Sequence, residues 1–339
     1  MPVCICVNGA RGKVVSPVPV FCGNREEDGV SSAKLIAGRQ CDLRDRVRSI
    51  VRQRIESCLG PLCGRTGPSG RPTTLPAELP AALLPGKMLR TQLAGRLVSA
   101  AGSRADVQRV EQLCAAVEIV HTASLCHDDV IDGGTVRRGA ASLWRQTGPS
   151  AAVLIGDALL ADAIALVASA GNPAALDAFL RKIRETCTAE ATQELILRGN
   201  AVSEADCLRV ARGKTGPFFA FAACVCGGAD STLSAALEEA GYRVGTVYQL
   251  ADDLLDVTGG LAEHGPELRS RKTLGTDAAR RKSTLAHGGE EGLRTAHKHM
   301  TALSRSALDL LAAWPKARAG LEMFLLHDMG GVPGVPGVL

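Results

Sequence analysis

The segment "VEQLCAAVEIVHTASLCHDD", residues 110–129, has helical length and is apolar around almost its whole circumference. A helix with that pattern keeps little of its surface for water, so it has to lie inside a bundle of other helices. Further segments of helical length fill the chain at 87–101, 104–131, 150–170, 173–197, 203–226, 231–257, 277–286, 290–312 and 316–328. Alternating apolar and polar runs bounded by turn residues, the mark of half-buried strands, are missing. The expected fold class is therefore all-α. Upstream, "LRDRVRSIVRQRIESCLG" from Leu43 keeps helical spacing, and "GPLCGRTGPSGRPTTLP" then breaks it with Gly and Pro. Residues 1–40 read as a flexible N-terminal extension without periodicity, 41–330 as the helical domain and 331–339 as a Gly/Pro-rich tail.

Composition narrows the function. Apolar residues at 46% against 22% charged supply a core and argue against global disorder. A net charge of +4 is too mild for a nucleic-acid partner, and 3% aromatics give few platforms for stacking bases. The basic groups at 44–54, 269–272 and 280–282 read as solvated helix faces. Twelve cysteines include no C-x-x-C pair, only Cys4/Cys6 and Cys224/Cys226 at C-x-C spacing, so they read as reduced small hydrophobes of a cytoplasmic protein. "MPVCICVNGARGK" lacks the form of a signal peptide. "AAVLIGDALLADAIALVASA" is interrupted by Asp157 and Asp162, which favours a buried helix over a transmembrane segment.

Two acidic clusters stand out from this background, "LCHDDVIDGGTVRRG" at 125–139 and "YQLADDLLDVTG" at 248–259. On a helix Asp128 and Asp132 share a face, their Cβ atoms about 5–6 Å apart, and Asp252 and Asp256 repeat the arrangement. Paired carboxylates repel unless a cation joins them. All-oxygen ligation suits Mg²⁺, which takes one or two carboxylates and completes its octahedron with water and phosphate oxygens. A solvated acidic helix end is the bland reading of either cluster alone; two of them on apolar helices favour metal. Arg137 and Arg138 follow the first cluster closely, and guanidinium forks suit phosphate. Metal on one side and Arg on the other describe a site for a multiply charged phosphate ester.

With these motifs the chain resembles the trans-isoprenyl diphosphate synthases, the polyprenyl synthetase family, over roughly residues 41–330. "HDDVIDGGTVRRG" is similar to that family's first aspartate-rich motif and "YQLADDLLD" to its second. "GKMLR" at 86–90, "VHTASL" at 120–125, "VLIGDALLADA" at 153–163, "AEATQ" at 189–193, "GKTGPFFAFA" at 213–222 and "RKTLGTDAARRKSTL" at 271–285 fall in the family's order. The resemblance implies an isoprenoid synthase-type helical bundle around a central cavity, a homodimer, and Mg²⁺-dependent condensation of isopentenyl diphosphate with an allylic diphosphate. It implies Asp128, Asp132 and Asp252 as metal ligands, with Asp129, Asp253 and Asp256 in support. Arg137, Lys214, Lys272 and Lys282 would hold the allylic diphosphate; Gly86, Lys87, Arg90, His121 and Arg138 would form the isopentenyl diphosphate pocket; Thr215 and Gln249 would face the developing cation. The "GKTG" at 213–216 fails as a phosphate loop, since no Gly stands five positions before Gly213.

Departures from the family pattern are Pro85 where a second Gly is usual, Met88 for Arg, Arg271 for Gly, Tyr248 for Phe, and a long stretch between Asp256 and Lys272. A class I terpene cyclase, a non-catalytic subunit and a head-to-head coupling enzyme are the rival readings. Both acidic motifs and the "GKMLR" segment disfavour them. In the family the growing chain runs back along the helix of the first motif, and Ala123, Ser124 and Val120 are too small to close it, so the expected product has twenty carbons or more, with geranylgeranyl diphosphate favoured.

Overall fold

The computed structural model describes the backbone of residues 27–63, 75–101, 106–137, 140–198, 200, 202–258 and 289–330, and the side chains of 43–63, 75–99, 106–137, 140–198, 200, 202–254 and 291–330. The chain divides into two compact units, Met1–Leu35 and Ile36–Leu339; the second carries every feature discussed below. Its described residues are almost wholly helical. In chain order come α1 (Glu27–Leu59, shared with the first unit), α2 (Leu79–Ala82), α3 (Leu89–Ala101) and α4 (Val107–Ile131), then α5 (Leu143–Thr147), α6 (Pro149–Ser169) and α7 (Pro173–Ala191). After a π-helical turn at Thr192–Leu197 follow α8 (Glu204–Cys224), α9 (Ser231–Thr258), α10 (Gly289–Asp309), α11 (Pro315–Met323) and a closing π turn at Phe324–Asp328. Helix α1 begins at Glu27 although residues up to 40 lack periodicity. Once the turns after Leu43 are fixed, adding residues to an existing helix costs far less than nucleating one.

Helix starts follow local chemistry. Asp106 accepts from the Arg109 amide, Asn172 from that of Ala175 and Ser203 from that of Asp206, each supplying an acceptor that the first turn lacks. Pro149, Pro173 and Pro315 stand in first turns, where their missing N–H is harmless. Helix α4 carries a long buried run, including Val110, Leu113, Val117, Ile119 and Ala123. Its strongest partner is α6, whose apolar composition is explained by a buried ladder of Ala152, Ile155, Leu159, Ala163 and Val167. Helix α6 is also the one described helix long and apolar enough to cross a membrane. Asp162 on it accepts from Nε and Nη2 of Arg54 from α1, at 2.9 and 2.5 Å, a pairing that ties it to the bundle.

Three glycines let α8 and α9 touch backbone to backbone. A Cβ on Gly245 would meet the Gly216 Cα at 2.6 Å, and one on Gly241 would meet the Ala220 Cα at 2.6 Å. The glycines of "GKTG" therefore serve helix crossing. Gly213 does the same against α7, where a Cβ would come within 2.8 Å of the Ala189 Cβ. These close approaches bring the end of α7 and the middles of α8 and α9 together. The only described strands form a hairpin after the first acidic motif, β1 (Val136–Arg137) antiparallel to β2 (Ala140–Ala141).

Candidate active site

The first acidic motif sits on the last turn of α4. Asp128 is half-buried, and Asp132 caps the helix, its amide bonding the Asp128 carbonyl at 2.8 Å. Gly133, at φ +64°, reverses the chain in a conformation that favours glycine. The next carbonyl, that of Gly134, accepts from Ser142 Oγ at 2.6 Å and Trp144 Nε1 at 2.7 Å. So fixed, the hairpin swings Arg137 back onto Asp129. Arg137 Nε and Nη2 donate to the two Asp129 oxygens at 2.7 and 2.6 Å, and Asp129 is only 1% exposed. The structure thus joins two residues expected to serve apart. Asp129 acts as the anchor of Arg137, which is held through Nε and Nη2.

Lys214 comes from α8, one residue after the Gly213 contact. Its ammonium donates to Glu190 Oε2 at 2.8 Å and Gln193 Oε1 at 3.1 Å, both from the end of α7 and the π turn. Burial opposes the charged form of Lys214, but the carboxylates of Glu190, Asp128 and Asp253 outweigh burial and hold its pKa above the usual lysine value. The ammonium therefore feels both acidic motifs, one on α4 and one on α9. Beside it, Thr215 Oγ1 donates to Gln249 Oε1 at 2.5 Å, and Gln249 Nε2 donates to Asp253 Oδ1 at 2.9 Å. Asp252 and Asp253 stand half-buried on the same helix. Asp256 is helical, but its side chain lies outside the described residues, as do Arg138, Lys272, Lys282 and the segment 277–286.

The second group expected from the sequence assembles at the start of α3. Gly86 and Lys87 are exposed, the Gly86 carbonyl accepting from Arg48 Nη2 at 3.1 Å. Met88 is buried with φ +55°, an uncommon conformation for a side chain of this size. Arg90 lies with its guanidinium 5.2 Å from the centre of the Phe219 ring on α8. Burial draws the Arg90 pKa down, opposed by the charge of Glu118 and by Tyr248. Glu118 fastens the segment to α4: it is 1% exposed and accepts from Thr91 Oγ1 at 2.8 Å and the Thr91 amide at 3.3 Å. His121 follows Glu118 by three residues on α4, half-buried.

Ala123 and Ser124 part company. His127 bonds the Val153 carbonyl of α6 at 3.2 Å and fills the space above Gly156, where a Cβ would meet its Nε2 at 2.3 Å. Ala123, four residues earlier, shares that α6-facing side and is 1% exposed; Val120, at 4%, is packed with it. Ser124 shares the Asp128 side and stays half-buried, its Oγ returned to the His121 carbonyl at 2.9 Å. Both residues stand about one turn before Asp128 in sequence, but packing against α6 separates their roles.

Glu190 and Gln193 were within the "AEATQ" signature without a role of their own, and Glu118 was read as part of an apolar helix. For Glu118 the signal was a carboxylate inside an otherwise apolar run.

An all-α bundle that sets two aspartate-rich helix segments around one lysine is an isoprenoid synthase fold. The polyprenyl synthetase family model matches residues 76–289, and the chain belongs to that family. It is 34% identical over 210 residues to a geranylgeranyl diphosphate synthase of Mycobacterium tuberculosis, covering 59% of this chain and 57% of that protein. A nonaprenyl diphosphate synthase of the same organism is 32% identical over 259 residues, covering 70% and 74%. Among solved structures, a polyprenyl synthase from Caulobacter crescentus complexed with calcium and isoprenyl diphosphate is similar with a TM-score of 0.63 and 26% identity, covering 85% of this chain and 95% of that one. The chain spans about 57–60% of the length of the first curated relatives it matches.

Proposed function

We propose that the protein condenses isopentenyl diphosphate with an allylic diphosphate, head to tail, releasing pyrophosphate and an all-trans prenyl diphosphate. The observation that carries this reading is Lys214, a lysine kept charged within reach of acidic motifs on α4 and α9. Family membership and the prenyl diphosphate synthase relatives support it.

Among the described residues no three His, Cys, Asp or Glu side chains converge as a ready-made metal cage. Oxygen donors divided between two helices instead suit a hard cation that completes its shell with substrate phosphate. Asp128, Asp132 and Asp252 would hold Mg²⁺, and the calcium complex of the Caulobacter relative supports a divalent cation here. Bound Mg²⁺ would neutralise the charge that builds on the departing diphosphate.

The chain's own groups do the rest. Lys214 and Arg137 bind the allylic diphosphate and stabilise its negative charge as the carbon–oxygen bond opens. Lys87, Arg90 and His121 orient isopentenyl diphosphate, so that its double bond meets the allylic carbon in an effectively unimolecular step. Thr215 and Gln249 present oxygen dipoles to the cation, Asp253 fixing the Gln249 amide. The attack leaves a tertiary cation on the isopentenyl unit, and a proton from the carbon beside it passes to the released pyrophosphate, its C–H electrons forming the new double bond.

A small residue at position 124 on the Asp128 side supports a product of twenty carbons or more, geranylgeranyl diphosphate first and a longer polyprenyl diphosphate second. The protein works as a cytoplasmic homodimer. Exposed Leu154 on α6, Leu180 on α7, and Leu195 and Ile196 on the π turn support a covered apolar face. The test is purified protein with Mg²⁺, isopentenyl diphosphate and dimethylallyl, geranyl or farnesyl diphosphate, products being sized by mass spectrometry. Products of twenty carbons or more are expected; no condensation with any primer would overturn the reading.

A further inference from the structure

An ammonium has three N–H donors. Two of those on Lys214 are taken, by Glu190 Oε2 at 2.8 Å and Gln193 Oε1 at 3.1 Å. Both acceptors come from the stretch where α7 gives way to a π-helical turn at Thr192, and such turns re-aim side chains locally. Gln193 is buried there, at 8% exposure, and Glu190 is half-buried. Gly213 lets α8 approach α7 to the limit set by Ala189, which keeps the backbone of the lysine that follows it beside this pair. Glu190 belongs to neither acidic motif.

We propose that Glu190 is a positioning residue for the diphosphate site: with Gln193 it fixes the rotation of the Lys214 ammonium so that the third N–H points at the incoming phosphate. This rests on the reading of Lys214 as an allylic diphosphate ligand. A free lysine loses side-chain freedom when it binds an anion, whereas one already held in place has lost it beforehand. Glu190 thus contributes to affinity without touching the ligand. The acceptor oxygen is what matters, so glutamine, which keeps one, should substitute for glutamate, and alanine should not.

The test is a double-substitution cycle read by calorimetry with inorganic pyrophosphate and Mg²⁺, which needs no turnover and therefore stands apart from the condensation assay. Glu190→Ala is expected to weaken binding about tenfold, the effect of losing one charge-assisted hydrogen bond. Glu190→Gln is expected to stay within about threefold of the parent, since the held geometry survives. In a Lys214→Ala background, Glu190→Ala should have no further effect. In turnover, the alanine change should raise KM for the allylic substrate and leave KM for isopentenyl diphosphate unchanged. Circular dichroism of each variant checks that the helices are intact, and the glutamine variant keeps the test decisive if alanine disturbs them. Tighter binding by both variants would make Glu190 a competitor for the ammonium and overturn the proposal. So would an alanine effect that persists without Lys214, or a glutamine variant as weak as alanine. A protein that binds pyrophosphate as described yet fails to condense would leave this inference standing and refute the activity alone.

Discussion

Asp129 and Asp128 are neighbours with opposite fates. Asp129 is buried and satisfied by a two-pronged guanidinium, whereas Asp128 is half-buried and within reach of Lys214. Removing Asp128 removes a proposed metal ligand and leaves the core intact. Asp128→Ala is expected to lower kcat at least about a hundredfold with unchanged helicity, since a Lewis acid contributes several kcal/mol at the transition state. Asp129→Ala strands Arg137 at the hairpin, so it should also lower the melting temperature, because breaking a buried pair from one side leaves the other charge uncompensated. Calorimetric melting beside a steady-state assay separates the two; equal melting and equal activity loss would show that the aspartates share one role. Chain length is set at the same scale. Ser124 stands on the Asp128 side, so Ser124→Phe is expected to shorten the product, an aromatic ring leaving room for about three isoprene units by the steric logic of overpacking. Ala123→Phe instead drives a ring into the α6 contact and should chiefly destabilise. Mass spectrometry of products from both variants decides between them, and a shortened product from Ala123→Phe alone would put the growing chain on the other side of α4.

At the scale of elements, the crossing of α8 over α9 holds Thr215 against Gln249. It has no slack, since a Cβ on Gly245 would strike the Gly216 Cα, the Gly216 amide and the Thr215 carbonyl between 2.6 and 2.9 Å. Backbone cannot step aside as a flexible side chain can. Gly245→Ala is expected to cost about 1–3 kcal/mol of stability, the usual penalty for overpacking, and to break the 2.5 Å Thr215–Gln249 bond. A urea midpoint and kcat measured together check this; unchanged values in both would show that the helices part freely. The same pair of helices carries a pH-dependent clamp, in which Glu239 on α9 accepts from Arg212 of α8 and from Arg243. Burial would raise the Glu239 pKa, but the two arginines prevail and hold it below the usual carboxylate range. The folded state therefore gains stability from ionised Glu239 above the ordinary carboxylate value, and loses it as pH falls through the lowered one. Glu239→Gln should remove part of the acid limb of a melting-temperature profile, from the ordinary carboxylate value downward, with screening by solvent keeping the change modest.

For the whole molecule, apolar periodicity made the helical bundle legible, and caps and prolines set most boundaries to within a few residues. That worked because burial of a helix face and the satisfaction of its first turn are local matters. The acidic motifs were legible for the same reason, as i and i+4 carboxylates declare a shared face. What sequence could not show was which distant groups meet: Asp129 with Arg137 through a glycine turn, Lys214 with Glu190 across a glycine contact, Ala123 against α6. Each depends on packing angles between helices, which no single segment encodes. Oligomeric state is a further property of packing. Helix α6 buries Ile155, Leu159 and Val167 inward, yet leaves Leu154, Ala161, Ala165 and Ala168 on an exposed stripe. Nearby in the chain, Leu180, Ala191 and Leu195 are exposed as well, Leu195 at 82%. An apolar helix stripe facing water suits an interaction surface, and homodimers in general cover theirs with a copy of the same patch. Light scattering at micromolar concentration is expected to give twice the 35.3 kDa chain mass. Leu154→Glu would bring a carboxylate onto that stripe twice, once from each subunit, and should shift the protein to monomer while leaving the inward face of α6 untouched. A parent protein that runs as a monomer would refute the dimer, and a Leu154→Glu variant that stays dimeric would move its interface off this stripe.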